Sequence, residues 1–476
     1  MSEKYSDNSN YGNPDRRRSE VRRHSGRKRR RRKRGGRSKY GSFIMHFLMI
    51  MFFGVVIVTV MVGRMYVINS INHPMGSEGD YSVSSEDQSE SVGEPESVDL
   101  AAQKIEEELS RMTLEQKVGQ LFMVRNNGSG TLEETVSKTN AGGAILFAKD
   151  FDGLSAANVR NMTDSLQSAS DGRMIIAVDE EGGTVVRVSS NSKLRKSRFL
   201  SPQQLYRNGG FDLIVSDTGE KCELLYSLGI NMNMAPVADV CTSASGFMFK
   251  RSFGKGAEDT AEYVSKVIGV MKKTPVASCV KHFPGYGNSR NDTHQGLDVN
   301  KKSIDKLQSS DLVPFEAAIN EGVDSIMLSH TIVNAIDPDH PVSLSPAAVK
   351  MIRENMGFDG LLITDGLEMG AIIKFCGDSG KSCVMAVQAG VDILCAPMNP
   401  VSDYGAVLEA VRNGEISQER IDESVRRILR FKQRFESEAN STSESHDDEP
   451  SELPTTVTTT QITTTTTQPT SKPNTQ

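Results

Sequence analysis

Val276-Ala-Ser-Cys-Val280 runs without a break into Lys281-His-Phe-Pro-Gly-Tyr-Gly287. A short apolar run bounded by Pro and Gly reads as a buried strand. Its end changes character abruptly, with two ionisable side chains and then a Gly/Pro loop. The same arrangement recurs along the chain. Met174–Val178 leads to Asp179-Glu-Glu-Gly-Gly183, and Asn231–Met234 leads to Pro236 and Asp239. Ser325–Leu328 leads to Ser329 and His330, and Leu361–Thr364 to Asp365. With Leu121–Val124, Ala144–Phe147 and Asp392–Leu394 there are eight candidate strands. Helical patterns lie between them, at Ile105–Arg111, Ala156–Ala169, Asp259–Lys272, Pro314–Glu321, Ser345–Asn355 and Ser382–Ala389. Such alternation implies a parallel sheet with crossover helices. Eight strands in roughly 300 residues fit an α/β fold of the (β/α)8, TIM-type barrel class. An open doubly wound sheet is the rival, weakened because no Gly-x-Gly-x-x-Gly opens a helix after the first strand. Ionisable groups gathered at the carboxyl ends of strands mark the barrel face where active sites are built. Helix capping can account for Asp239 or Ser329, but hardly for Lys281 followed by His282.

Outward from this core the composition shifts. The 476-residue chain carries a formal charge of −6, yet residues 1–40 hold 16 Lys and Arg against 4 Asp and Glu. Phe43–Gly63 is 21 residues long and lacks Asp, Glu, Lys and Arg. As a helix it would span about 30 Å, the thickness of a bilayer core. A cleaved signal peptide is the competing reading, but its apolar region would be shorter and would end at a small-residue site. The basic run Arg27–Arg34 could bind nucleic acid; its place just before the apolar span favours an orientation signal instead. The amino terminus is therefore expected to be cytoplasmic and the rest extracellular, on a single-pass membrane protein. Segment boundaries follow: a basic tail at 1–42, an anchor at 43–63, an acidic, Ser-rich linker at 64–99, a catalytic barrel at 100–436 and a Thr/Ser/Pro-rich tail at 437–476. The linker and the tail read as disordered, and the tail's composition also suits an O-glycosylated stalk.

Six cysteines, at 222, 241, 279, 376, 383 and 395, show no Cys-x-x-Cys spacing. That argues against a zinc or redox motif. Cys376 and Cys383 could close a small loop, though buried free thiols are the simpler reading.

Four stretches, taken together and in order, resemble glycoside hydrolase family 3, and within it the β-N-acetylglucosaminidase branch. They are Ile176-Ala-Val-Asp-Glu-Glu-Gly-Gly183, Lys281-His-Phe-Pro-Gly-Tyr-Gly287, Asp292-Thr-His294 and Ile363-Thr-Asp-Gly-Leu-Glu-Met369. Arg251-Ser-Phe-Gly254 and Met112-Thr-Leu-Glu-Gln-Lys-Val-Gly-Gln120 match as well, so the likeness covers about residues 105–432. It implies a retaining exo-glycosidase that releases terminal β-linked N-acetylglucosamine. In that outward-facing compartment peptidoglycan fragments are the expected substrate. By similarity Asp365 is the nucleophile that forms a glycosyl–enzyme intermediate, and His294 paired with Asp292 is the general acid/base. A histidine near its ordinary pKa of about 6.5 can give and take a proton near neutrality, and a carboxylate can orient it. Asp179, Arg187, Arg251, Lys281 and His282 fall on substrate-binding positions. The resemblance implies no cofactor and no metal.

The sequence departs from the family pattern in places. Tyr286 and Asn288 stand where a second His and an Asp are usual, and Gly366 where a second Asp is usual. Other readings stay open. A β-glucosidase or β-xylosidase of the superfamily would be expected to carry its acid/base on a second domain. A phosphorylase would use phosphate in place of water, and a wall-glycan-binding module would need no chemistry. Should His294 not be the proton donor, Glu180 and Glu181 are the nearest alternatives by motif.

Overall fold

The computed structural model describes residues 95–170, 173–287, 289 and 297–443. The basic tail, the apolar run 43–63, most of the acidic linker, most of the Thr-rich tail, and Asp292 and His294 lie outside them. Among the described residues no helix is long and apolar enough to cross a membrane.

The expected strands all form. They are β1 (Phe122–Val124), β2 (Gly143–Leu146), β3 (Ile175–Val178), β4 (Met232–Asn233), β5 (Ala277–Phe283), β6 (Ser325–Leu328), β7 (Leu361–Thr364) and β8 (Leu394–Cys395). They hydrogen-bond in parallel in the order β7-β6-β5-β4-β3-β2-β1-β8. The two ends of this sheet meet at the Ile363–Ile393 bridge, where the Thr364 amide donates to the Ile393 carbonyl at 3.0 Å. The result is a nearly closed parallel barrel of the TIM type. Its strands are buried on both faces, which is why they read as continuous apolar runs rather than alternating ones.

Helices cover the outside of the barrel. The six expected helical stretches are present; Ser345–Asn355 divides into Pro346–Lys350 and a wider turn over Met351–Asn355. Helices at Leu114–Gln120, Leu132–Thr139, Pro202–Ser227, Gly370–Cys376, Pro400–Arg412 and Gln418–Ser443 complete the shell. Pro202–Ser227 starts on a capping box, with Ser201 and Gln204 satisfying each other's backbone amides and Pro202 in the first turn. It kinks at Gly209 and Gly210, which break the apolar period and hide the helix in the sequence. The first helix, Pro95–Arg111, takes in the end of the acidic linker, and the last, Gln418–Ser443, runs past residue 436.

One apolar cluster runs from Ile105 to Leu429 through the barrel and its helices. A second, smaller one (Val237, Cys241, Met248 and Tyr286, with Phe247 and Phe249 against it) lies beside the loop that leaves β5. All six cysteines are buried free thiols, so no bridge joins Cys376 to Cys383.

Candidate active site

The carboxyl ends of the strands open into a cavity of about 200 Å³. Asp179 after β3, Lys281 and His282 on β5, Asp365 after β7, and Arg187 and Arg251 from longer loops all line it. These six of the eight sequence-derived candidates therefore come together. The other two, Asp292 and His294, lie outside the described residues.

Glycines and one buried carboxylate shape the loop after β3. Gly182 and Gly183 have φ of +94° and +67°. A Cβ on Gly182 would stand 2.2 Å from the Leu200 carbonyl oxygen, so the position needs glycine in two ways. Glu180 is fully buried and accepts from the amides of Arg187 and Val188, both at 2.7 Å, and from the Ser189 hydroxyl. This folds the loop back and aims Arg187 at the cavity. There its guanidinium donates to Asp179 Oδ2 at 3.2 Å and lies over the Phe147 ring at 5.2 Å. Arg187 Nε is buried and has no partner among the described residues.

Lys281 is 1% exposed and bridges two carboxylates, Asp179 Oδ1 at 2.6 Å and Glu181 Oε1 at 2.8 Å. Burial alone would pull the ammonium down, but Asp179 and Glu181 outweigh it and hold the pKa above its ordinary value. Arg251 grips Glu181 with two nitrogens, Nη2 at 2.7 Å and Nε at 3.0 Å. Burial would raise the Glu181 pKa; Arg251 and Lys281 reverse that and hold it well below the carboxylate range. Asp179 is likewise lowered, because Lys281 and Arg187 overcome its burial. Glu180 spends its oxygens on two loop amides and a hydroxyl, and Glu181 is clamped as an anion by Arg251 and Lys281.

Asp239, also fully buried, organises β5. Its Oδ2 lies 2.9 Å from His282 Nδ1 and accepts the His282 amide at 3.2 Å, while Oδ1 accepts the Tyr286 amide at 2.8 Å. With Nδ1–H donated to Asp239, His282 Nε2 is left to accept from Arg251 Nη2 at 3.3 Å. The polar lining is thus one chain of charge-assisted contacts from Arg187 through Asp179, Lys281, Glu181, Arg251 and His282 to Asp239.

Asp365 stands apart from that chain. Its amide donates to the Leu328 carbonyl at 2.9 Å, which extends the β6–β7 pairing and fixes the backbone. Oδ1 accepts the Gly366 amide at 2.8 Å, and Tyr286 donates to Oδ2 at 3.5 Å. Burial raises its pKa, but His282, His330, the Gly366 amide and Lys281 together bring it below the ordinary value. His330 is fully buried; its Nε2 donates to the Gly366 carbonyl at 3.0 Å, and Ser343 meets its Nδ1 at 2.7 Å.

Sequence reasoning left several lining groups out of the site. Phe147, Phe247, Met327 and Met369 supply apolar walls, and Glu368 also lines the cavity, ion-paired to Arg125. Arg125 in turn lies over Phe147 at 4.8 Å. Asp239 carried a signal, a carboxylate at a strand end, but nothing tied it to a histidine 43 residues away.

The family model for the glycosyl hydrolase family 3 N-terminal domain matches residues 113–431. A β-hexosaminidase of Methylococcus capsulatus is 31% identical over 57% of this chain and 80% of its own length. β-Hexosaminidase LpqI of Mycobacterium tuberculosis is 28% identical over 66% of this chain and 82% of its own. Among solved structures, a family 3 β-N-acetylglucosaminidase from Paenibacillus sp. str. FPU-7 superposes with a TM-score of 0.64 at 33% identity. That match covers 69% of this chain and 63% of the Paenibacillus enzyme, so the chain spans less than two thirds of that relative. With these motifs at one face of its barrel and β-hexosaminidases among its relatives, the chain is a glycoside hydrolase and belongs to glycoside hydrolase family 3.

Proposed function

We propose that the chain is a retaining exo-hydrolase of terminal, non-reducing β-N-acetylglucosamine. The observation that carries this is Asp365, a carboxylate fixed at a strand end, open to the cavity and kept ionised by its surroundings. In the first step an Asp365 oxygen attacks the anomeric carbon while His294 protonates the departing oxygen. In the second, His294 takes a proton from water, which attacks the same carbon and frees Asp365. Asp292 supports the charged imidazole. Asp179, Lys281, Arg187, Arg251 and His282 hold sugar hydroxyls. We further propose peptidoglycan fragments as substrate, with Phe43–Gly63 anchoring the enzyme and its catalytic barrel outside the cell. The sequence supports this through the basic run before the apolar span.

The test compares aryl β-N-acetylglucosaminide with aryl β-glucoside and identifies the products with and without phosphate. Preference for the N-acetyl sugar, a free reducing sugar as product, and a slow fluorinated sugar trapped on the Asp365 peptide are expected. A glucoside preference, a sugar phosphate product or a label on another residue would overturn the corresponding part.

A further inference from the structure

We propose that the Tyr286 hydroxyl is a further catalytic group, one that assists the second step by donating to the Asp365 carboxylate as it leaves the sugar. This rests on the reading of Asp365 as nucleophile. Tyr286 stands where the family resemblance would place a histidine, so it is a feature of this chain.

The two oxygens of Asp365 are held differently. Oδ1 accepts the Gly366 amide at 2.8 Å from a backbone locked on both sides, because His330 holds the Gly366 carbonyl. Oδ2 has the Tyr286 hydroxyl at 3.5 Å, a long contact. Attack through Oδ1 would give up a short bond, whereas Oδ2 gives up little, so Oδ2 is the attacking atom. The phenol is pre-aimed at it. Tyr286 is 5% exposed, its amide is held by Asp239, and its ring packs edge-on against Phe247 at 4.9 Å and against the His282 ring at 5.4 Å.

The two steps then place opposite demands on this contact. In the first, an Oδ2 lone pair forms the bond to the anomeric carbon, the glycosidic bond breaks, and the leaving oxygen takes a proton from His294. Oδ2 changes from a carboxylate oxygen to an ester oxygen and becomes a poorer acceptor. In the second, water bonds to the anomeric carbon and passes a proton to His294, and the bond to Oδ2 breaks with its electron pair returning to Oδ2. Negative charge grows beside a fixed O–H, and the hydrogen bond strengthens on the way to the transition state. No proton leaves the phenol. Removing the hydroxyl should therefore slow deglycosylation and leave glycosylation unchanged or slightly faster.

The alternative is that Tyr286 only fills space in the small apolar cluster beside β5. Tyr286→Phe keeps the ring and separates the two. The full-length wild type and Tyr286→Phe are assayed on an aryl N-acetylglucosaminide with a good leaving group, so that deglycosylation limits turnover. A hydrogen bond to a charged group corresponds to roughly a 10- to 100-fold loss in kcat. KM should fall with it, keeping kcat/KM within about threefold, because the ester accumulates. With the slow fluorinated sugar, reactivation should slow by a similar factor while inactivation does not. The ratio of those two rates is internal to the folded enzyme, so a reduced folded fraction cancels. Equal slowing of both steps, or no change in reactivation, overturns the role of Tyr286. If the label sits on Asp365 in that experiment, the nucleophile assignment stands without it. An Asp365→Asn enzyme that keeps its activity overturns both.

Discussion

Asp365 and Glu181 show how neighbours outweigh burial. Glu181 is buried and Asp365 half-buried; desolvation raises the pKa of each, and their neighbours bring each below its ordinary value. An Asp365 ionised throughout the neutral range leaves the alkaline side of the pH profile to the proton donor. The donor must be protonated to act, so kcat/KM should fall as pH rises through its pKa. In His294→Ala that alkaline limb should vanish. Substrates with poor leaving groups should lose roughly 100- to 10,000-fold while activated aryl glycosides lose far less. Added azide should restore turnover when deglycosylation limits and give a β-glycosyl azide. Equal losses for good and poor leaving groups would assign His294 to binding instead. Much of the site was readable one residue at a time, because Asp179, Lys281, His282 and Asp365 each end a recognisable strand. The pairings were not. Glu181 meets Arg251 across 70 residues and Lys281 meets Asp179 across 102, distances over which a sequence pattern carries no geometry.

At the scale of elements, the strands were legible and the loops that complete the cavity were not. A parallel strand buried on both faces announces itself as an apolar run. A loop is set by where its backbone amides find acceptors, and residues 182–200 find one of theirs in Glu180. The carboxylate there takes two amides and a hydroxyl while fully buried. Glu180→Ala should leave those amides without a partner in an interior that admits little water. Each unsatisfied buried donor costs about 1–3 kcal/mol, so for the two amides a loss of roughly 2–6 kcal/mol is expected in denaturant unfolding. Because the same loop aims Arg187, KM should rise more than kcat falls. An unchanged KM in a destabilised protein would show that Arg187 is positioned by its contacts with Asp179 and Phe147 rather than by the loop. Helices were legible only where one apolar stripe ran unbroken. Gly209-Gly210 concealed Pro202–Ser227, and dense charge concealed Gln418–Ser443, although Ile421, Val425, Ile428 and Leu429 form its buried face.

Across the whole molecule the barrel has one weak seam, between β7 and β8, and the far end of the chain is used to hold it. Asp392, fully buried just before β8, accepts from Arg353 at 2.6 Å and from the Leu362 amide of β7 at 2.9 Å through Oδ2. Through Oδ1 it accepts from Ser424 at 2.7 Å and Arg427 at 3.2 Å, both on the last helix. Arg353 also donates to the Phe358 carbonyl at 2.9 Å and the Gly360 carbonyl at 2.6 Å, and Arg420 to the Val387 and Val391 carbonyls at 3.1 and 3.0 Å. One carboxylate thus joins two strands, the helix before β7 and the carboxyl-terminal helix, at the barrel end opposite the cavity. Removing it strands a largely buried guanidinium, and breaking a buried pair this way costs about 3–5 kcal/mol. Asp392→Ala should therefore shift the unfolding midpoint strongly towards lower denaturant. The amino-terminal end of a barrel bears on stability and the carboxyl-terminal end on chemistry. Per folded molecule, then, kcat and KM in the variant should stay close to wild type, measured well below the unfolding midpoint with active sites titrated. A kcat that drops while the midpoint holds would mean that the seam governs the geometry of Asp365, at the other end of β7, and that the two ends of the barrel are not separable.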